Sequence, residues 1–489
     1  MSLATVNTRA CLGLDAPLVR VEAHLSGGLP GMAIVGLPET AVRESKDRVR
    51  SALLNSGFDF PTQRITINLS PADLPKVGGR FDLPIALGIL AASRQIPAIS
   101  LDDHVFIGEL SLAGQLKAVQ GVLSASLACQ RDGHVLVLGR DNGDEASLPD
   151  GARVLAADTL TELVRHLQGR QPLPPLQRSS PRSDVPTPAA DLREVRGQAQ
   201  ARRALEVAAS GGHSLLMEGP PGAGKTLLAR CLPGLLPTLD ADEHLEVTAL
   251  HGLAGLTRSD RQPPWRAPHH ATPRGSLVGH GLRPGELSLA HRGVLFLDEL
   301  PEFSRQTLEA LREPLESRCM PVTTRHGRSV QYPADCLLVA AMNPCPCGQR
   351  GLEGASCLCT PEQVGRYRAR LSAPLLDRID LRVSLRPVPA GLLLGLPEGE
   401  CTATVQARVL AIRALQRARQ GCLNARLPGD ALMQQLTPAA SQFLDQAASR
   451  LNLSARAWHR LVRVARTLAD MAGETNISQA ALAEALGYR

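Results

Sequence analysis

Gly219-Pro220-Pro221-Gly222-Ala223-Gly224-Lys225-Thr226 reads G-x-x-x-x-G-K-T. It lies between an apolar run, Ser214-Leu215-Leu216-Met217, and a helical pattern opened by Leu227-Leu228-Ala229-Arg230. Strand, loop and helix in that order suit a phosphate chain. The glycines permit a positive-φ turn free of side chains, which aims backbone N–H groups inward, and the helix start adds the positive end of its dipole. Lys225 is placed to reach the β- and γ-phosphates, and Thr226 to offer its hydroxyl to Mg²⁺. The stretch predicts an α/β core that binds a nucleoside triphosphate, with ATP and Mg²⁺ as cofactors.

Further along, Val294-Leu295-Phe296-Leu297-Asp298-Glu299 is a buried-strand run ending in two acids. After a phosphate loop this is a Walker B pattern, in which Asp298 holds Mg²⁺ through water and Glu299 polarises the attacking water as general base. A third run, Leu337-Leu338-Val339-Ala340-Ala341-Met342, ends at Asn343. The order of motifs resembles AAA+ ATPases, whose Asn at this point, called sensor 1, helps position that water. By itself an Asn after a strand is a turn or cap residue.

Composition bounds the rest. The 489 residues, 44% of them hydrophobic, suffice for about three domains with cores of their own. No stretch approaches the roughly 18 apolar residues of a membrane span, and Met1 to Arg9 hold no apolar signal core, so a cytoplasmic protein without membrane partners is expected. Net charge is +6, which permits an anionic partner without requiring one. Of 53 basic residues only Lys46, Lys76, Lys117 and Lys225 are lysines, so a remaining lysine is a candidate for a role needing an ammonium. Aromatics are only 2%, which argues against base stacking as a main mode of nucleic-acid binding.

Residues 1–167 alternate β-like runs (64–69, 135–138) with helical patterns (83–92, 122–131, 160–167) and read as an α+β domain. Residues 168–190, rich in Pro, Ser and Arg, read as an extended linker. The motor core spans 191–389. Residues 390–489 are helical by pattern (402–418, 438–451, 455–472) and read as a small lid.

The segment Leu112-Ala113-Gly114-Gln115-Leu116-Lys117, with the elements after it, resembles the Lon-protease catalytic domain. Lys117 falls on the Lys of that family's Ser–Lys dyad, but Asp82 stands where the serine would be, and a carboxylate cannot serve as that acyl-forming nucleophile. A Lon-like fold without proteolysis is expected. Pro374-Leu375-Leu376-Asp377-Arg378-Ile379-Asp380 resembles the segment of magnesium-chelatase-like AAA+ proteins whose Arg reaches into a neighbour's site. Arg378 is then an arginine finger; an intrachain pair with Asp377 or Asp380 is the alternative. Ser454-Ala455-Arg456-Ala457 resembles the sensor 2 motif, implying that Arg456 contacts nucleotide from the same chain, against a solvated helical Arg. With Arg266-Ala267-Pro268-His269-His270 and Leu282-Arg283-Pro284-Gly285-Glu286, these motifs resemble the YifB/ComM group of magnesium-chelatase-like AAA+ ATPases over essentially the whole chain. The resemblance implies a hexameric ring that acts as a DNA helicase in branch migration during natural transformation. A chelatase- or chaperone-type motor on a protein partner, and a Lon-like peptidase, stand as rivals.

Two elements bear on DNA. Val322-Thr323-Thr324, Arg325-His326-Gly327-Arg328 and Ser329-Val330-Gln331-Tyr332 read as a hairpin with a basic tip, whose Arg325, His326 and Arg328 would meet phosphates without reading sequence; a solvated turn fits equally. The Gly/Pro-rich segment between Arg266 and Arg283 offers Arg274 and Arg283 as a second basic surface. His269-His270 look like a metal pair, but neighbours on a strand point apart, which favours structural roles. Finally, Cys345-Pro346-Cys347 and Cys357-Leu358-Cys359 put four thiols within fifteen positions. They suit tetrahedral Zn²⁺, free thiols remain open, and disulfides fit a reducing compartment poorly.

Overall fold

The computed structural model describes residues 2–176, 190–323, 327, 329–351, 356–387 and 399–489. Within them the chain forms two α/β bodies joined through residues outside that description.

The N-terminal body is built on a seven-stranded mixed sheet, in spatial order Gly31–Val35, Arg64–Ser70, Leu18–Ser26, Ser2–Arg9, His104–Phe106, Val135–Gly139 and Val154–Ala157. Ile65, Ile67 and Leu69 alternate inward along their strand, the period of a sheet with one buried face. Val154–Ala157 is instead buried at every residue, as a parallel strand covered on both faces should be. The helix Asp82–Ala92 is apolar nearly all round and buried along its full length, so it lies inside the body rather than on it. Its Gly88 lets it close on the sheet, since a Cβ there would stand 3.1 Å from the Ala23 methyl. Residues 168–176 do not behave as a free linker: Leu173 is buried in this core and the Leu176 N–H donates to the Val154 carbonyl at 2.9 Å. The rest of the expected linker, 177–189, lies outside the described residues.

The second body carries a five-stranded parallel sheet: β1 (Leu215–Glu218), β2 (Trp265–Arg266), β3 (Val294–Leu297), β4 (Leu337–Met342) and β5 (Leu381–Ser384), in the order β2-β3-β4-β1-β5. Alternate residues feed opposite layers. Leu215, Met217, Phe296, Val339 and Val383 pack with Val405, Val409, Val462 and Ala465 of the C-terminal helices Thr402–Gln420 and Ala455–Met471. Leu216, Leu295, Leu297, Leu338 and Ala340 pack with Leu277, Leu287, Tyr367 and Leu375. The C-terminal helices thus share the sheet's own core. Helix Ala455–Met471 starts where Ser454 accepts the Ala457 N–H, and helix Pro438–Leu451 where Thr437 accepts that of Ala440.

The antiparallel hairpin Cys319–Thr323/Ser329–Pro333 forms in the expected place. Its Val322, Val330 and Tyr332 pack with Leu250 and Leu253 and with Cys11, Leu12 and Leu14 of the first N-terminal turn. No helix among the described residues is long and apolar enough to cross a membrane.

Candidate nucleotide site

Three of the sheet's strands deliver chemistry to one edge. The phosphate loop leaves β1 with Gly222 at φ 77° and Gly224 at φ 90°, conformations that side chains rarely adopt, and helix Lys225–Cys231 begins at once. The Lys225 ammonium donates to the carbonyls of Gly219 (2.6 Å) and Pro220 (2.9 Å) and to Asn343 Oδ1 (3.1 Å). Burial lowers its pKa, opposed by the charges of Asp298 and Glu299. The Thr226 hydroxyl donates to Asp298 Oδ2 at 3.0 Å, so two hard oxygen donors converge where Mg²⁺ is expected. The Glu299 N–H donates to Asp298 Oδ1, and Glu299 itself sits at φ 52°, a strained backbone for a side chain of its kind. Lys225, Thr226, Asp298, Glu299 and Asn343 are therefore gathered as the sequence predicts.

Neighbours that the motifs did not disclose complete the edge. His270 Nδ1 lies 3.1 Å from Glu299 Oε2. The His269 and His270 rings pack 4.0 Å apart in a turn, so the strand argument that they diverge fails: neither is on a strand. Arg368 pairs with Glu218 at the end of β1, and the Asn343 N–H donates to the Tyr367 hydroxyl, whose pKa burial raises to about 12. Nothing local in the sequence marks these contacts.

The opposite edge holds a cavity of about 790 Å³. It is lined by Ser214, Gly293, Leu337 and Asp380, which stand at the starts of β1, β3, β4 and β5, and by nine arginines that include Arg378 and Arg456. Arg378 pairs with Glu316 at 2.9 Å and donates to the Pro374 carbonyl; Arg456 lies 3.6 Å from the same Glu316. The alternative pairs of Arg378 do not form, because Asp377 faces Arg460 and Asp380 faces His213 and Ser214. Arg456 likewise stands away from its own phosphate loop. A four-residue strand spans about 13 Å at ~3.3 Å per residue, and the phosphate loop lies at the far end of it. Arg456, exposed, stands with the largely buried Arg378 on Glu316 at that edge.

The four thiols converge: Cys345 Sγ lies 3.4 Å from Cys347 Sγ and 3.7 Å from Cys357 Sγ, and all four sulfurs lie within 4.8 Å of one another. All eleven cysteines are unbridged. Arg274, first residue of helix Arg274–Val278, and Arg283, across from His280 in a two-residue ladder, are both exposed. Arg325, His326 and Arg328 lie outside the described residues.

In the N-terminal body Asp82 is fully buried and takes two hydrogen bonds from Arg48 (2.8 and 3.0 Å) and one from the Leu110 N–H. Burial raises its pKa to about 6 against the pull of Arg48. Lys117, exposed, donates to Gln115. The two positions that would form a dyad are thus each engaged elsewhere.

Residues 191–392 match the family described as magnesium chelatase, subunit ChlI; residues 21–142 match subunit ChlI of Mg-chelatase, and residues 399–489 the ChlI C-terminal region. YifB of Escherichia coli K12 is 47% identical over all of this chain and 97% of its own length. Competence protein ComM of Haemophilus influenzae is 47% identical over all of this chain and 98% of its own. Rv2897c of Mycobacterium tuberculosis is 44% identical over all of this chain and 99% of its own.

Proposed function

This chain belongs to the magnesium-chelatase-like family that includes YifB and ComM, and from that premise we propose that it is an ATP-driven ring motor acting on DNA. The observation that carries the reading is the division of one sheet into two edges: Lys225, Thr226, Asp298, Glu299 and Asn343 at one, Arg378 and Arg456 at the other. Neither edge is a whole site. Closing a ring head to tail sets one subunit's arginines against the next subunit's phosphate loop, a heterologous interface that a six-membered ring satisfies.

In that joint site the loop amides and Lys225 hold the phosphates in line. Thr226 and Asp298 would hold Mg²⁺, which supplies positive charge to the β- and γ-oxygens. Glu299 takes the proton of the attacking water, Asn343 orients that water, and Arg378 and Arg456 of a neighbour meet the charge that develops on the γ-phosphate. His270 fixes the Glu299 carboxylate from the outer side.

We read the N-terminal body as a Lon-like domain without proteolysis, supported by the burial of Asp82 against Arg48, and the C-terminal helices as the family's lid. The Haemophilus relative is a competence protein, which favours DNA as the track and branch migration in natural transformation as the task. Arg274 and Arg283, with Arg325 and Arg328, would grip sugar–phosphate backbone irrespective of sequence. The chelatase name of the matched family favours the second reading, a motor that remodels a protein partner. ATPase assays with and without branched DNA decide between them: stimulation by DNA supports the first, and stimulation by protein with indifference to DNA supports the second.

A further inference from the structure

The segment Asn343-Pro344-Cys345-Pro346-Cys347-Gly348 follows β4 and runs against the phosphate loop. At its start Asn343 Oδ1 accepts from the Lys225 ammonium at 3.1 Å. At its end Gly348, at φ +75°, lies against the phosphate loop: a Cβ built on it would stand 2.6 Å from Pro221 Cδ and 3.8 Å from the Asn343 side-chain carbon. Between them Pro344 and Pro346 fix φ, and the Gly348 N–H donates to the Cys345 carbonyl at 3.0 Å. The segment is short, stiff and in contact with the phosphate loop at both ends.

Its two cysteines meet Cys357 and Cys359. The sulfurs of Cys345, Cys347 and Cys357 stand 3.4, 3.6 and 3.7 Å apart, and a tetrahedron of four sulfurs about 2.3 Å from a central Zn²⁺ has edges of about 3.8 Å. A disulfide would need about 2.05 Å. Backbone N–H groups are aimed at the sulfurs as well, that of Gln349 at Cys347, of Cys359 at Cys357 and of Cys347 at Cys359. Four sulfurs leave no open coordination position, which is the pattern of a structural rather than a catalytic ion.

We propose that Cys345, Cys347, Cys357 and Cys359 hold one Zn²⁺, and that the resulting knuckle is the rear wall of the phosphate loop, so that nucleotide affinity depends on the metal. Binding exchanges the thiol protons for Zn²⁺; removal by a chelator returns them. Without the ion the four sulfurs have nothing to gather them, Gly348 is released from Pro221, and Asn343 no longer holds its place beside Lys225. The metal site stands by itself, whereas the coupling rests on the nucleotide reading of the loop.

The test uses the full chain purified without chelator under reducing conditions. One zinc per chain is expected by metal analysis, and a fluorescent ATP analogue should bind. Stripping the ion with a chelator should weaken the analogue roughly tenfold or more, and added Zn²⁺ should restore it. Because Cys357→Ser with Cys359→Ser can fail to fold, Gly348→Ala is the second variant: it should keep its zinc yet bind the analogue roughly tenfold more weakly. Freshly purified reduced protein with no zinc overturns the metal site. Full affinity after stripping, or in zinc-loaded Gly348→Ala, overturns the coupling. If zinc-loaded wild type binds no analogue, the nucleotide reading and the coupling fall together, while one zinc per chain still supports the metal site.

Discussion

The placement of Arg456 yields a prediction with a number. Arg378 and Arg456 share Glu316 at the edge where the strands begin, and the phosphate loop occupies the other edge, about 13 Å away along β1. An Arg side chain, roughly 7 Å from Cα to guanidinium, cannot turn back over that distance through a packed sheet. Arg456→Ala should therefore leave its own phosphate loop intact and disable the neighbour's site, and Lys225→Ala should do the reverse. An arginine supplied across an interface is worth about 10³–10⁵ in turnover, so each variant alone should hydrolyse ATP near background. Mixed one to one and allowed to exchange subunits, half of the chains bring a sound loop and half of the neighbours bring a sound Arg456. One half times one half restores about one quarter of the wild-type sites. The assay is steady-state ATP hydrolysis on the mixture, with fluorescence energy transfer between labelled subunits as proof of exchange. Exchange without recovery would refute the reasoning, since a same-chain Arg456 leaves no complete site in any mixed ring.

Glu299→Gln should bind ATP with little change and lose about 10²–10⁴ in turnover, and undiminished hydrolysis would remove Glu299 as the base. His270→Ala frees the carboxylate 3.1 Å away, so kcat should fall about tenfold with KM kept; a raised KM at unchanged kcat would move His270 into nucleotide binding. Arg48→Ala strands the buried Asp82 carboxylate and should destabilise the N-terminal body by about 3–5 kcal/mol at pH 8. Asp82 already has its pKa raised above the usual value, to about 6, so the neutral carboxyl is the form that folding favours and its contribution is lost as pH rises through that value. The loss in Arg48→Ala should accordingly shrink at pH 5, and equal losses at pH 5 and 8 by denaturant titration would contradict a buried carboxylate.

The elements that carry the nucleotide chemistry were legible almost to the residue because each has a local cause. Gly222 and Gly224 announce the turn, β3 and β4 are short apolar runs stopped by Asp298 and Asn343, and Thr437 and Ser454 cap the helices expected at 438 and 455. What escaped depends on tertiary placement. The Ser454-Ala455-Arg456-Ala457 motif gives a helix start, yet no local signal says which edge of the sheet that start will meet. By sequence His270 reads as a strand residue, whereas the chain turns there and brings its ring to Glu299. Pro172, Pro174 and Pro175 read as linker, although Leu173 and Leu176 give that stretch enough apolar surface to stay on the N-terminal core. The docking of Cys11, Leu12 and Leu14 against the hairpin joins segments some 300 positions apart, a contact no periodicity encodes.

Whether ATP hydrolysis here moves DNA is decided on a mobile four-way junction. With ATP and Mg²⁺ the wild-type ring should convert the junction into separated duplexes whatever its sequence, and more slowly as salt rises. Glu299→Gln should leave the junction whole. Arg325→Ala with Arg328→Ala should lose stimulation by DNA and keep basal hydrolysis, because neither residue falls in a nucleotide-binding motif of the sequence. Vigorous ATP hydrolysis by the wild type that leaves the four-way junction and every forked duplex intact would contradict the account.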